Sequence, residues 1–403
     1  MLALQEVEKA AQRLEKIAVK TPFTFAPGLS AISGAQVFLK KENLQVTGAF
    51  KLRGAFNRIA TLSESQKSLG VVAASAGNHA QGVAYSAKHF DIDATIVMPE
   101  STPLTKVNGV AEYGARVVLH GENYDEAYAY AKDLESKENR TFIHPFTDAE
   151  VIAGQGTVAL EMLESIPDLD YVVIPIGGGG LIAGMASVCR QINPNIKVIG
   201  VTSKGARGFF DSYHAKENKG PKVVRTIADG IAVRDTAEET LKYALSCVDD
   251  VVEVDDKEIA AAILFLLEKQ KLLVEGAGAV GVAALMQKKI AFDNSDKVGV
   301  LLSGGNIDVT MLSVIIEKGL VKSNRKMKLR VTLVDKPGSL MQLTEVLSVT
   351  NANIVHIGYD RTSANLEYGD AHVRIEVETK GLKHQDEILT HLRSSGYEIE
   401  QVN

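Results

Sequence analysis

From residue 36 to residue 303 the chain alternates between two kinds of apolar pattern. Short runs rich in Val, Ile and Leu occur at 37–39, 70–74, 94–98, 116–119, 171–176, 196–201 and 298–302. Between them, at 54–61, 80–89, 104–113, 124–138 and 155–165, apolar residues recur at helical spacing. Nearly continuous apolar runs that short suit strands covered on both faces, and strands separated by helices pair in parallel. The predicted fold class is α/β, with two open, twisted, mostly parallel sheets. Ligands in such folds bind beyond the carboxyl ends of the strands. Gly-rich turns follow Ala74, Ile176 and Leu302, all at that position. Two sheets facing one cleft would account for their wide separation in sequence.

The pattern changes near residue 321. Residues 321–328 are polar and basic and read as a linker. Beyond them strands are predicted at 329–334, 353–359, 372–378 and 397–402, with helices from 339 to about 350 and at 385–394. That is a β-α-β-β-α-β unit, the ferredoxin-like order. The expected domains are therefore 1–320, with a smaller subdomain of about 43–145 inserted in a larger one, then the linker 321–328 and a module over 329–403.

Bulk properties narrow the function classes. A net charge of −6 over 403 residues gives no support for nucleic acid or anionic lipid as a partner. Residues 1–20 form an amphipathic, charged pattern with Leu4, Val7, Ala11, Leu14 and Ala18 on one stripe, unlike a signal peptide. No run is long and apolar enough to span a membrane, so a cytoplasmic location is expected. Cys189 and Cys247 lie in apolar helical patterns and read as buried, reduced thiols. No His-x-x-x-His pair occurs among the nine histidines, and no catalytic metal is expected.

Four turns carry candidate chemistry. Gly177, Gly178, Gly179 and Gly180 follow an apolar strand and lead into the helical pattern that Leu181 opens. Side-chain-free backbone entering a helix gathers unpaired N–H groups at the positive end of the helix dipole, which makes a phosphate cradle. Lys51 lies between Phe50 and Leu52 with small residues on either side. An amine in apolar surroundings has a lowered pKa and becomes a nucleophile towards aldehydes. A lysine at a helix start with its head in water is the other reading, and this segment alone does not choose. Ser75, Ala76, Gly77, Asn78 and His79 form a third strand-to-helix turn, able to hold a carboxylate or simply to cap a helix. Ser303, Gly304, Gly305 and Asn306 form the fourth.

Together these turns resemble the pyridoxal-phosphate enzymes of the tryptophan-synthase-β structural class, known as fold type II. Within it the chain is similar to the threonine ammonia-lyases (threonine/serine dehydratases). The resemblance spans nearly the whole chain and includes the blocks at 99–107, 144–146, 151–157 and 274–279. It implies pyridoxal 5'-phosphate as cofactor, captured by Lys51, which would also remove the substrate's Cα proton. Gly177, Gly178, Gly179, Gly180 and Leu181 would hold the phosphate. Asn78 would bond the ring oxygen, Phe50 would cover the ring and Ser303 would face its nitrogen. Ser75, Ala76, Gly77, Asn78 and His79 would take the substrate carboxylate. Glu275 would lie near the ring in a role the residues do not define. Related serine racemases carry a serine where this chain has Ala76, and often a metal-site glutamate where it has Thr202. Elimination is therefore expected over racemisation.

The implied reaction converts L-threonine to 2-oxobutanoate and ammonia, and L-serine to pyruvate. A serine-preferring dehydratase, or one for another β-hydroxy amino acid, is the nearest alternative, and a non-catalytic amino-acid sensor a distant one. The C-terminal module resembles an ACT domain, an amino-acid-sensing unit. The resemblance implies an effector, isoleucine or valine by analogy, near Pro337 and Gly338, beside Asn353 and Ile354 of a neighbouring copy. A homodimer or homotetramer is expected, in either a biosynthetic or a catabolic setting.

Overall fold

The computed structural model describes residues 1–220, 223–364 and 366–402. The chain divides into two compact units, Met1–Asp308 and Val309–Asn403. In the first unit the larger sheet has the spatial order Phe23–Phe25, Gln36–Lys41, Lys297–Leu302, Tyr171–Pro175, Lys197–Ser203, Asp250–Val254. Only the first pairing is antiparallel. The smaller sheet, Arg116–Leu119, Ala94–Met98, Val71–Ala74, Thr141–Phe142, is parallel throughout. Its strands Val71–Ala74 and Ala94–Met98 are buried at every position, as their unbroken apolar runs predict. The chain leaves the larger sheet after Lys41 and rejoins it at Tyr171, so the smaller sheet is an insertion.

Three strands escaped the sequence pattern. Phe23–Phe25 and Thr141–Phe142 are too short to show a period. Asp250–Val254 is an edge strand whose Asp250 and Glu253 break its apolar run. Edge strands tolerate such charges because one side faces water.

Four helices of this unit meet through glycines. A Cβ on Gly154, in the helix Ala149–Ser165, would come 2.4 Å from the Arg53 carbonyl and 2.6 Å from Gly54 Cα. Both neighbours belong to the helix Lys51–Ala60. A Cβ on Gly184, in the helix Gly180–Ile192, would lie 2.3 Å from the Ile152 carbonyl and 2.7 Å from the Gly156 nitrogen. Gly82, in the helix Asn78–His89, leaves 3.1 Å to the Lys51 carbonyl. The helices that begin at Lys51, Asn78 and Gly180 are thus joined backbone to backbone.

The second unit begins with the helix Val309–Lys322. Its antiparallel sheet has the order Asn353–Asp360, Asp370–Glu378, Lys326–Val334, Glu398–Gln401, with helices Ser339–Val349 and Leu382–Ser394. Leu329, Val331, Leu343, Val373, Ile375 and Ile388 are in its core. This is the ferredoxin-like order expected. The segment 321–328 is not extended chain, however. The helix runs to Lys322, Asn324 turns at φ 57°, and the strand starts at Lys326. Lys326 pairs with Glu317 at 2.6 Å and Glu376 at 2.9 Å, so part of the basic run is neutralised inside the unit. Among the described residues no helix is long and apolar enough to cross a membrane.

Candidate functional site

The strand Tyr171–Pro175 feeds the glycine turn, and Gly179 caps the helix Gly180–Ile192. The first-turn N–H groups of a helix have no partner within it, so those that follow Gly179 are available to an anion. Packing demands the glycines as well. An added Cβ would lie 2.8 Å from Ile231 Cα at Gly177, 2.5 Å from the Phe146 ring at Gly178 and 2.6 Å from the Phe146 carbonyl at Gly180. Gly179 sits at φ 87°, where a side chain is strained. Thr240 Oγ1 donates to the Gly178 carbonyl at 2.8 Å. Leu181 is buried behind the turn.

Lys51 opens its helix, and its Nζ donates to the Pro145 carbonyl at 2.8 Å. The next residue, Phe146, is the one packed on Gly178 and Gly180, so one short segment joins the amine to the glycine turn. Nζ lies 5.4 Å from the Phe50 ring centroid, and Phe50 is buried. Although the Lys51 side chain is only half-buried by surface, its amine end is enclosed. Burial lowers its pKa to about 8, against the opposing charge of Glu275. Of the two readings left open by the sequence, the structure favours the enclosed amine. His144 shapes the same segment: its Nδ1 accepts from the N–H groups of Phe146 and Thr147. Burial, then the Lys51 charge, push its pKa down to about 4, which keeps the imidazole neutral for that task.

The opposite face of the lysine helix is anchored by buried charge. Arg53 grips Glu42 through Nε at 2.8 Å and Nη2 at 2.9 Å, and Glu161 through Nη1 at 2.6 Å. Lys40 pairs with Glu161 and donates to the Thr21 carbonyl at 2.8 Å. Two cations face two anions, as burial requires. Burial alone would raise the Glu42 pKa, but Arg53 outweighs it and holds the carboxyl below its usual value. None of these partners was singled out in the sequence, because no local pattern pairs residues this far apart.

At the third turn, Ser75 Oγ accepts from the Gly77 N–H at 3.2 Å, and the helix Asn78–His89 begins. A Cβ on Gly77 would meet nothing within 4 Å, so open space adjoins this turn. His79 Nε2 bonds the Ile143 carbonyl at 2.8 Å, while Nδ1 is buried with no hydrogen-bond partner. Burial, then the Lys51 charge, push the His79 pKa down to about 3. Its ring is neutral and its Nε2 is engaged by Ile143, so only its backbone N–H is left to donate to an incoming carboxylate. Ala76 packs against the apolar cluster of the smaller sheet.

The fourth turn closes on the others. Ser303 is buried, and its carbonyl accepts from the Phe50 N–H at 3.0 Å. Gly304 bridges to Ala49. Asn78 Nδ2 donates to Glu275 Oε1 at 2.7 Å, and Asn306 Nδ2 donates to Asn78 Oδ1 at 2.8 Å. Burial raises the Glu275 pKa to about 7. All four turns are therefore brought together in one unit. The sequence marked Asn306 only as a turn residue; its side-chain role depends on a partner 228 positions away.

In the second unit Gly338 caps the helix Ser339–Val349 at φ 91°, and Pro337 beside it is exposed. Asn353 Nδ2 donates to Glu378 at 2.7 Å, and Ile354 is half-buried against the core. Both lie on the edge strand of the sheet.

Residues 14–304 match the family model described as pyridoxal-phosphate dependent enzyme, and residues 322–401 match that of the ACT domain. An L-threonine ammonia-lyase of Thermotoga maritima is 44% identical over 399 residues, which is 99% of either chain. Among solved structures, maize serine racemase has 35% identity and a TM-score of 0.75, covering 80% of this chain and 99% of its own. The processed form of threonine deaminase isoform 2 from Solanum lycopersicum has 36% identity and a TM-score of 0.73, covering 78% and 94%.

Proposed function

We infer the reaction from an established membership: the chain belongs to the pyridoxal-phosphate dependent enzyme family and carries an ACT domain after it in sequence. It is a lyase that deaminates L-threonine to 2-oxobutanoate and ammonia. The observation that carries this reading is the enclosed Lys51 amine, tied through Pro145 and Phe146 to the glycine turn. The full-length relative named L-threonine ammonia-lyase supports the choice of substrate.

The residues fit the cofactor on three counts. Lys51 presents an amine whose pKa of about 8 leaves a useful neutral fraction. The glycine turn offers backbone donors at a helix start, held rigid by Phe146 and Thr240. Ser303 offers a hydroxyl, which is a weak partner for a ring nitrogen compared with a carboxylate. When bound, pyridoxal phosphate withdraws electrons from the substrate's Cα and so acidifies its proton.

The chain's own residues do the rest. Backbone donors of Gly177, Gly178, Gly179, Gly180 and Leu181 would hold the phosphate, Asn78 would donate to the ring oxygen and Phe50 would flank the ring. The turn from Ser75 to Asn78, with the His79 N–H, takes the substrate carboxylate, and the space beside Gly77 admits it. Lys51 Nζ accepts the Cα proton. The β-hydroxyl leaves, and the enamine that remains tautomerises and takes up water to give the oxo acid and ammonia. Ala76 has no proton to deliver at the opposite face, which favours elimination over racemisation. L-Serine would give pyruvate by the same steps.

The ACT domain supports control by an amino acid, isoleucine or valine, at Pro337 and Gly338 of one copy with Asn353 and Ile354 of another. The edge position of Asn353–Asp360 suits pairing between copies, as a homodimer or homotetramer. The test is ammonia release by the purified protein from L-threonine and from L-serine, with each branched-chain amino acid added in turn. Threonine turnover is expected, at higher kcat/KM than serine turnover. A cofactor-loaded protein that turns over neither would overturn the reading and favour a sensor. A serine preference would shift it to the serine dehydratase.

A further inference from the structure

The side-chain amide of Asn78 is held at both ends, and the order of donors and acceptors fixes which way it points. The Thr47 carbonyl can only accept, so the Asn306 atom facing it at 2.8 Å is Nδ2. The second hydrogen of that nitrogen meets Asn78 at 2.8 Å, so the Asn78 atom there is Oδ1. A further approach of Asn306 Nδ2, to Gln81 Oε1, is longer at 3.4 Å. Asn78 Nδ2 then lies at the other end, where Glu275 Oε1 accepts one of its two hydrogens at 2.7 Å.

Glu275 is itself tightly placed. Its N–H donates to the Gly304 carbonyl at 3.1 Å, and it caps the helix Gly276–Met286. A Cβ on Gly304 would lie 2.5 Å from its Oε1, and one on Gly230 3.2 Å away. The charges that act on its carboxyl are Asp229 and Lys106, with Lys51 on the lysine helix.

We propose that Asn306 and Glu275 are positioning residues that lock Asn78 in one amide orientation, leaving its remaining Nδ2 hydrogen to be presented to the cofactor's ring oxygen. This rests on the reading of Asn78 as a cofactor ligand given above. The lock acts before any ligand arrives, so the donor is aimed in advance. A free amide would have to choose its orientation at the moment of binding, at a cost in affinity. Asn306 is exposed to water, so its share is that of an ordinary hydrogen bond.

The test compares the pH midpoint of the bound cofactor's visible absorption in holoenzyme variants, with cofactor affinity measured by titration of the apoprotein. A donor on the ring oxygen favours its anion, so loss of aim raises the midpoint. Asn306→Leu is expected to raise it by about half to one pH unit and to weaken cofactor binding several-fold. In an Asn78→Ala background the same substitution is expected to do neither, because the lock reaches the cofactor through Asn78. Glu275→Gln, which keeps the side chain's shape, is the second arm of the same cycle. A shift that persists without Asn78 overturns the proposal, as does a lowered Tm with midpoint and affinity unchanged. Failure of the unsubstituted protein to bind the cofactor would instead sink the reading of the site.

Discussion

At residues 177–180 all four glycines would drive an added Cβ to within 2.8 Å of a neighbour, and Gly179 is further strained by its φ of 87°. At Gly77, in the other turn that leads from a parallel strand into a helix, a Cβ would meet nothing within 4 Å. Sequence alone makes the two turns look alike, since both put glycine at a helix start. The first is packed from behind and offers only its N–H groups, which suits a group that stays. The second opens onto free space, which suits a molecule that enters and leaves. Glycine serves rigidity in one place and room in the other.

The amine between the two turns gives the largest expected effect. Lys51→Ala is expected to lower turnover of threonine by roughly a thousandfold or more, while phosphate-ligand affinity at the glycine turn is retained. Steady-state kinetics with a binding titration check this, and substantial residual turnover would remove Lys51 from its role. Next comes pH. Because burial holds the Lys51 pKa at about 8, the apoprotein's rate of covalent capture of pyridoxal phosphate is expected to rise with pH and level off above that value. Between pH 6 and pH 8 the rise is roughly fiftyfold, following the neutral fraction of the amine. Stopped-flow absorbance would measure it, and a flat profile would mean an amine already neutral at pH 6.

The two glycine substitutions then test the contrast itself. Gly179→Ala is expected to destabilise the cofactor-free protein by about 1–3 kcal/mol, through overpacking on Thr240 and a strained φ. Gly77→Ala is expected to change apoprotein stability by about 1 kcal/mol or less, yet to raise KM for threonine by about tenfold. Thermal denaturation and kinetics separate the two signatures. A Gly77→Ala protein that loses stability with KM unchanged would erase the contrast.

The sequence made the repetitive and the local parts legible. The runs at 94–98 and 116–119 coincide with their strands because apolar residues fill them, and the helix 124–138 is found between the same bounds because it is long. The glycine turn and Lys51 stood out because their composition is unusual for their place. Other features left no local trace. The basic run at 321–328 reads as a linker, since Glu376, which neutralises part of it, lies about fifty positions on. The neutral state of His79 follows from its burial against Ile143, and the Arg53–Glu42–Glu161–Lys40 cluster from three separate segments meeting. What the sequence could not reveal was which polar groups answer one another across the fold.

The glycine junctions between helices have a consequence for tolerance. A side-chain interface can absorb a small displacement by changing rotamers, but main chain resting on main chain has no such give. Gly154 against Gly54 and Gly184 against Gly156 therefore act as a fixed gauge between the helix that starts at Lys51 and the one that starts at Gly180. A ligand that spans from the amine to the glycine turn must match that length. Analogues one bond longer or shorter between ring and anion should be discriminated by length before any chemistry begins.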